Sequence, residues 1–253
     1  MWIRYKDKGI ERLMKLFLGL IMPFIGTTLG SSMVFLMNEK FNKKIEYILL
    51  GLSAGIMTAA SIWSLIIPSI EFAKNINTDW LFPVVFGFII GFCLLHFINT
   101  ISEKKNKTNI SMVVLAITLH NIPEGMAVGV SLAGVHNGII TITSALILSL
   151  GIAIQNIPEG AIISMPLKEK GYLKRKAFIY GLLSGIVEPV AALLTLFLTK
   201  LITNIISYIL SFAAGAMIYV VVKELLPDFK KSIIGILSFI IGFLLMMFLD
   251  ILL

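Results

Sequence analysis

Two six-residue words stand out: His120-Asn121-Ile122-Pro123-Glu124-Gly125 and Gln155-Asn156-Ile157-Pro158-Glu159-Gly160. Each lies near the middle of a long apolar run. Ionisable residues so placed are costly in lipid and usually serve function. On a helix, His120 and Glu124 are one turn apart and share a face, and Asn121 joins them from an adjoining strip. The second word repeats this with Gln155, Asn156 and Glu159. Imidazole, carboxylate and amide oxygen together suit Zn²⁺, and also Fe²⁺, Mn²⁺, Co²⁺ or Cd²⁺. Histidine disfavours Mg²⁺ and Ca²⁺, and a set without thiolate disfavours Cu⁺. Glu188, beside Pro189 in a later run, adds a third carboxylate. Three carboxylates this close need neutralising, by protons or by one or two divalent cations.

Pro123 and Pro158 fall inside the same helices. Each removes a backbone hydrogen bond and frees a carbonyl four residues back, on Leu119 and Ile154. Free carbonyls are tolerated in a membrane where they line a cavity or meet a ligand. Gly125 and Gly160 permit close helix approach.

The elements that must position these groups are membrane spans. The 253 residues are 58% hydrophobic and only 14% charged, far from the soluble average of about 25% charged. Mean hydropathy is +0.96. Eight apolar runs follow one another, at 14–37, 45–72, 80–100, 111–132, 139–166, 177–199, 201–226 and 233–253. Each is long enough to cross about 30 Å of hydrocarbon as a helix. The fold expected is all-α: a polytopic membrane bundle of eight transmembrane helices forming one domain over residues 1–253. The run starting near Met14 reads as a mature helix rather than a cleaved signal. The single cysteine, Cys93, excludes a disulfide framework within the chain.

Lysine and arginine set the orientation. Lys40, Lys43 and Lys44, then Lys104, Lys105 and Lys107, then Lys168 to Lys176, then Lys223, Lys230 and Lys231 fall in alternate gaps; the opposite gaps hold Lys74 and Lys200. The positive-inside rule puts the basic gaps in the cytoplasm and both termini outside. The basic N-terminal tail disagrees and reads as an amphipathic surface helix. The net charge of +7 then belongs to loops at lipid headgroups, not to nucleic-acid binding. The fourth and fifth spans are antiparallel yet carry the same word, which predicts inverted-repeat symmetry with a site at the midplane.

These residues resemble the ZIP (Zrt/Irt-like protein) metal transporters over nearly the whole chain. His120 to Gly125 matches the family's first motif, and Gln155 to Gly160 is similar to the bacterial branch with a Gln-starting second motif. Gly55 to Ala60 with Pro68 and Glu71 resembles the family's second span. Gly215-Ala216-Met217 with Glu224, Leu226 and Pro227 resembles the seventh. The resemblance implies a binuclear centre made by His120, Asn121, Glu124, Gln155, Asn156, Glu159 and Glu188. It also implies zinc or another divalent metal as transported substrate, uptake into the cytoplasm across the plasma membrane, a homodimer in the lipid bilayer, and alternating access by sliding bundles. Amides at both Gln155 and Asn156, where some members place His or a carboxylate, predict weaker binding at the second metal position. No enzyme activity is expected.

Other residues have plainer readings. His96 reads as an interface residue near a span end, and His136 as surface or a metal-capturing ligand. Glu71 and Glu224 read as helix-end groups or relays on a metal path. Asp250 reads as terminal and solvated, and Met57 and Met217 as packing. Two rival functions differ in class. An intramembrane metalloprotease needs His-Glu-x-x-His, but the fourth residue after His120 is Glu. A proton-coupled carrier of an organic substrate leaves the duplicated metal-ligand set unexplained.

Overall fold

Prolines and glycines decide how the apolar runs become helices. A computed structural model describes residues 2–37, 42–76, 79–105, 110–136, 138, 140–199 and 205–252, without the side chains of 2–11, 76, 102–105, 110–120, 136, 199 and 252. Every regular element among them is helical. The helices are α1 (Trp2–Ser32), α2 (Lys43–Ala60), α3 (Ile67–Ile76), α4 (Leu81–Lys105), α5 (Ile110–His136), α6 (Ile142–Glu169), α7 (Lys174–Gly185), α8 (Val187–Thr199), α9 (Ile206–Val220), α10 (Leu226–Phe229) and α11 (Ile233–Leu252).

Seven stretches among the described residues are long and apolar enough to cross a bilayer: Arg12–Phe35, Lys43–Asn75, Leu81–Ile101, Ile142–Glu169, Lys174–Leu198, Ile206–Phe229 and Ile233–Ile251. The helix bearing the first motif, α5, runs for 27 residues. The N-terminal tail is continuous with the first span, since α1 starts at Trp2.

Two spans share an irregularity. Ser61–Ile66 widens into a π-turn between α2 and α3, and Val221–Leu225 does so between α9 and α10. Each turn follows an Ala-Gly-x-Met word, at Ala54 and at Ala214, and each ends two residues before a proline, Pro68 or Pro227. A proline inside a helix cannot donate to the preceding turn, and a π-turn is one way to absorb the local mismatch. The span holding Glu188 breaks differently: α7 stops at Gly185 and α8 restarts at Val187. Glu188 thereby sits in the first turn of a helix, where the backbone dipole favours an acid.

The helices pack as two bundles. One holds α1, α5, α6, α7 and α8; the other holds α2, α3, α4, α9, α10 and α11. The bundles meet chiefly along α2 on α6 and α5 on α9. Within bundles, pairs close on glycines spaced by four. Gly26 and Gly30 lie against the backbone of Ala153 and Ile157, and Gly51 and Gly55 against Gly235 and Phe239. Gly87 and Gly91 face Tyr208 and Phe212, and Gly125 and Gly129 face Glu188 and Ala192. In lipid, small residues let backbones approach and gain dispersion contacts that bulkier residues would prevent. Between bundles the contact has another character. Gly151 of α6 receives the flexible end of Met246, a buried side chain of α11.

Candidate metal centre

The motif prolines and glycines place polar groups from four helices in one buried cluster. Gly125 brings α5 against the backbone of Glu188, and Gly160 brings α6 against Thr27 and Ser31 of α1. Asn121, Glu124, Gln155, Asn156, Glu188 and Thr27 are all buried there.

Glu188 is the hub. Its Oε1 accepts from Thr27 Oγ1 at 2.9 Å and from Asn121 Nδ2 at 2.7 Å. Its Oε2 accepts from Asn156 Nδ2 at 2.7 Å. Each asparagine spends its second N–H on a carbonyl: Asn121 donates to Ser184 O at 3.1 Å and Asn156 to Pro23 O at 3.2 Å. A side-chain amide has two donors and one acceptor oxygen. With both donors placed, the network fixes the amide orientation. Across the motifs, Gln155 Nε2 donates to Glu124 Oε1 at 2.6 Å.

Among the described residues, four buried oxygens are left without a hydrogen-bond partner: Asn121 Oδ1, Glu124 Oε2, Gln155 Oε1 and Asn156 Oδ1. Native proteins rarely leave such atoms orphaned, and those that are call for an explanation such as an ion. All four are acceptors, so the group that satisfies them must be electron-poor. Among the described residues, no three His, Cys, Asp or Glu side chains gather as a metal cluster by themselves.

Glu159 stands apart. It is half-buried, and its Oε1 accepts from Ser53 Oγ at 3.3 Å. Ser53 belongs to α2, so this bond crosses from one bundle to the other. Ser53 Oγ also lies 3.8 Å from Met57 Sδ.

Of the seven residues expected at the site, five are buried and hydrogen-bonded: Asn121, Asn156 and Glu188 in one network, and Glu124 with Gln155 as a separate pair. Glu159 joins from the bundle interface. His120 is carried by α5, but its side chain lies outside the described residues, as does that of His136. Thr27, Pro23 and Ser53 complete the network without having been expected. Their only sequence signal is weak: Thr27 sits between Gly26 and Gly30, and Ser53 between Gly51 and Gly55.

A cavity of about 400 Å³ opens nearby, lined by Trp63, Ser64, Glu71, Ser131, Thr141, Ser144 and Asp250 among others. Ser131 is two turns beyond Glu124 on α5, about 10 Å along the axis. Asp250, expected to be solvated, is part-buried here: both carboxylate oxygens lie within reach of Ser64 Oγ, at 2.8 and 3.0 Å. Close packing of α2 and α11 on their glycines draws the end of the last helix inward. Glu71 lines the same cavity. At another site, Asn99 donates to Tyr219 at 3.1 Å and to Glu224 at 3.5 Å, and exposed His96 packs its ring on Tyr219.

Comparison with known proteins agrees with the architecture. Residues 102–250 match the family described as ZIP Zinc transporter. The chain is 30% identical to zinc transporter ZIP11 of Xenopus tropicalis, with 96% of this chain and 98% of that protein covered. It is 30% identical to zinc transporter GufA of Myxococcus xanthus, covering 85% and 89%. With zinc transporter ZupT of Streptococcus mutans identity is 32%, covering 88% and 91%. A buried polar centre shared by paired motif helices, spans that cross a bilayer, and similarity along nearly the full length place this chain in the ZIP family of metal transporters.

Proposed function

We propose that the protein carries divalent transition-metal cations, zinc foremost, across the plasma membrane into the cytoplasm by alternating access. Four orphaned acceptor oxygens in a buried, acid-rich cluster carry this reading. A cation that leaves water must regain oxygen or nitrogen ligands at once. Asn121, Glu124, Gln155 and Asn156 offer such oxygens, Glu159 offers a carboxylate at the bundle interface, and His120 lies on the same helix as Glu124. Glu188 neutralises charge and organises the amides. Fe²⁺, Mn²⁺, Co²⁺ and Cd²⁺ suit the same donor set. The relatives are named as transporters, and the chain belongs with carriers rather than enzymes.

The lysine-poor side of the molecule is the outer side, with both termini there. The cavity bounded by Glu71 and Asp250 then faces outward as a vestibule where acids concentrate cations. Eight spans act as one domain, and two such chains form the working homodimer. The bundles slide along the α2–α6 and α5–α9 contacts, which is where Ser53 meets Glu159. The test is ⁶⁵Zn²⁺ flux into proteoliposomes containing wild type, Glu124→Ala or Glu159→Ala. Full flux and full zinc binding in both variants would overturn the proposal.

A further inference from the structure

Among the described residues, Thr27 is the one hydroxyl that reaches the Glu188 hub, and it comes from a helix that carries neither motif. We propose that Thr27 is a positioning residue for cargo binding, acting through Glu188 to aim the amide oxygens of Asn121 and Asn156. This deepens the transport reading and rests on it.

The argument follows the hydrogen bonds. Thr27 Oγ1 is 2.9 Å from Glu188 Oε1 and 3.3 Å from Pro23 O. One hydroxyl has one proton, and the shorter contact to a carboxylate takes it. That donation holds Glu188 between α1 on one side and the two asparagines on the other. Asn121 and Asn156 come from different motif helices, yet both spend an N–H on the same carboxylate. Their Oδ1 atoms are left facing away from it, buried and unpartnered. Pro23 O reinforces this by holding the second N–H of Asn156.

The packing shows the same arrangement. Gly160, the last residue of the second motif, leaves room for the Thr27 backbone, and Gly185, just before the helix break, leaves room for the Thr27 side chain. A Cβ at Gly185 would come within 2.7 Å of Thr27 Cβ. Two glycines on two helices therefore admit this threonine to the centre. Without the hydroxyl, Glu188 keeps one donor on each oxygen, Asn121 on Oε1 and Asn156 on Oε2, and loses its direct hydrogen bond to α1. Both amides are then held less firmly, because the carboxylate they share has lost one of its three donors.

The experiment uses the full-length chain and zinc as probe. Thr27→Val removes the hydroxyl at nearly constant volume, Thr27→Ala removes it with less bulk should Val not fold, and Thr27→Ser retains it. Equilibrium Zn²⁺ binding in detergent and KM against maximal rate in proteoliposomes are both measured. Loss of a group orienting ligands typically costs about 10–100-fold in metal affinity, and that rise in Kd and KM is expected for Val or Ala, with maximal rate within about twofold and Ser close to wild type. In Glu188→Gln, adding Thr27→Val should change Kd little, because the hydroxyl acts through that carboxylate. A hydroxyl-free variant that folds and binds zinc as wild type does overturns the inference, as does a Thr27→Ser variant as impaired as Val. If wild type itself neither binds nor moves zinc, it is the transport reading that fails.

Discussion

Amide orientation is the residue-level device of this site. A carboxylate and an amide that could each coordinate a cation are paired with each other, so the amide oxygens are left without partners. Asn156→Asp tests how far this pairing matters. The variant loses two donors and gains a charge beside Glu188. Without metal its stability should fall by about 1–3 kcal/mol, the usual cost of stranding buried polar partners. With zinc it should recover, so the zinc-induced rise in Tm should exceed that of wild type. Glu124→Gln has the opposite signature. It replaces a carboxylate, one oxygen of which is orphaned, by a neutral amide, and zinc should no longer raise Tm. In wild type, zinc at 100 times Kd should stabilise by about 2.7 kcal/mol, and a chelator should remove that gain. Thermal unfolding with and without metal reads all three cases.

Much of this centre was legible from residue types. Buried acids, a histidine and amides repeated at helical spacing have few uses in a membrane, so six of the described partners could be named from the sequence. Thr27, Pro23 and Ser53 could not, because a threonine, a proline or a serine in a span is ordinary until its neighbour across the helix gap is known. Asp250 was misjudged for the same reason. Its place near the chain end suggested solvent, but tertiary packing pairs it with Ser64. The effect of Glu188 was also only half visible. The neighbouring Pro189 announced a disturbance, while the restart of the helix at Val187, which puts the acid in a first turn, depends on the folded backbone.

At the scale of elements, the runs, their order and their helical nature followed from hydropathy. Boundaries shifted, as α6 starts at Ile142 and the first span is the continuation of a helix begun at Trp2. The π-turns were not legible, although Pro68 and Pro227 mark where they end. Helix pairing had a signal that composition obscures: glycines four apart occur in α1, α2, α4 and α5, and each such pair meets one partner helix. Gly30→Ala should therefore be severe, since its Cβ would press on the carbonyl of Ile157. Overpacking of this kind costs about 1–3 kcal/mol or more. Gly151→Ala should be milder, because its Cβ meets only the end of Met246. Tm of the two purified variants makes the comparison; equal losses would contradict it.

The whole molecule is two bodies and a seam. If the bodies slide during transport, joining them should stop turnover without stopping binding. Gly151→Cys with Met246→Cys, in a chain with Cys93 replaced by Ser, places a thiol on each side of the seam. The oxidised protein should bind zinc but show no flux, and reduction should restore it; unchanged flux after complete cross-linking would refute a sliding mechanism.

The distribution of glycine contacts has one more consequence. Inside each body, the paired glycines of α1, α2, α4 and α5 set backbone against backbone, a stiff contact. Across the seam, Gly151 meets a thioether, whose three rotatable bonds give way readily. At this contact the seam is softer than the glycine-paired interiors, so a small shift of one body on the other costs less there than parting two helices within a body.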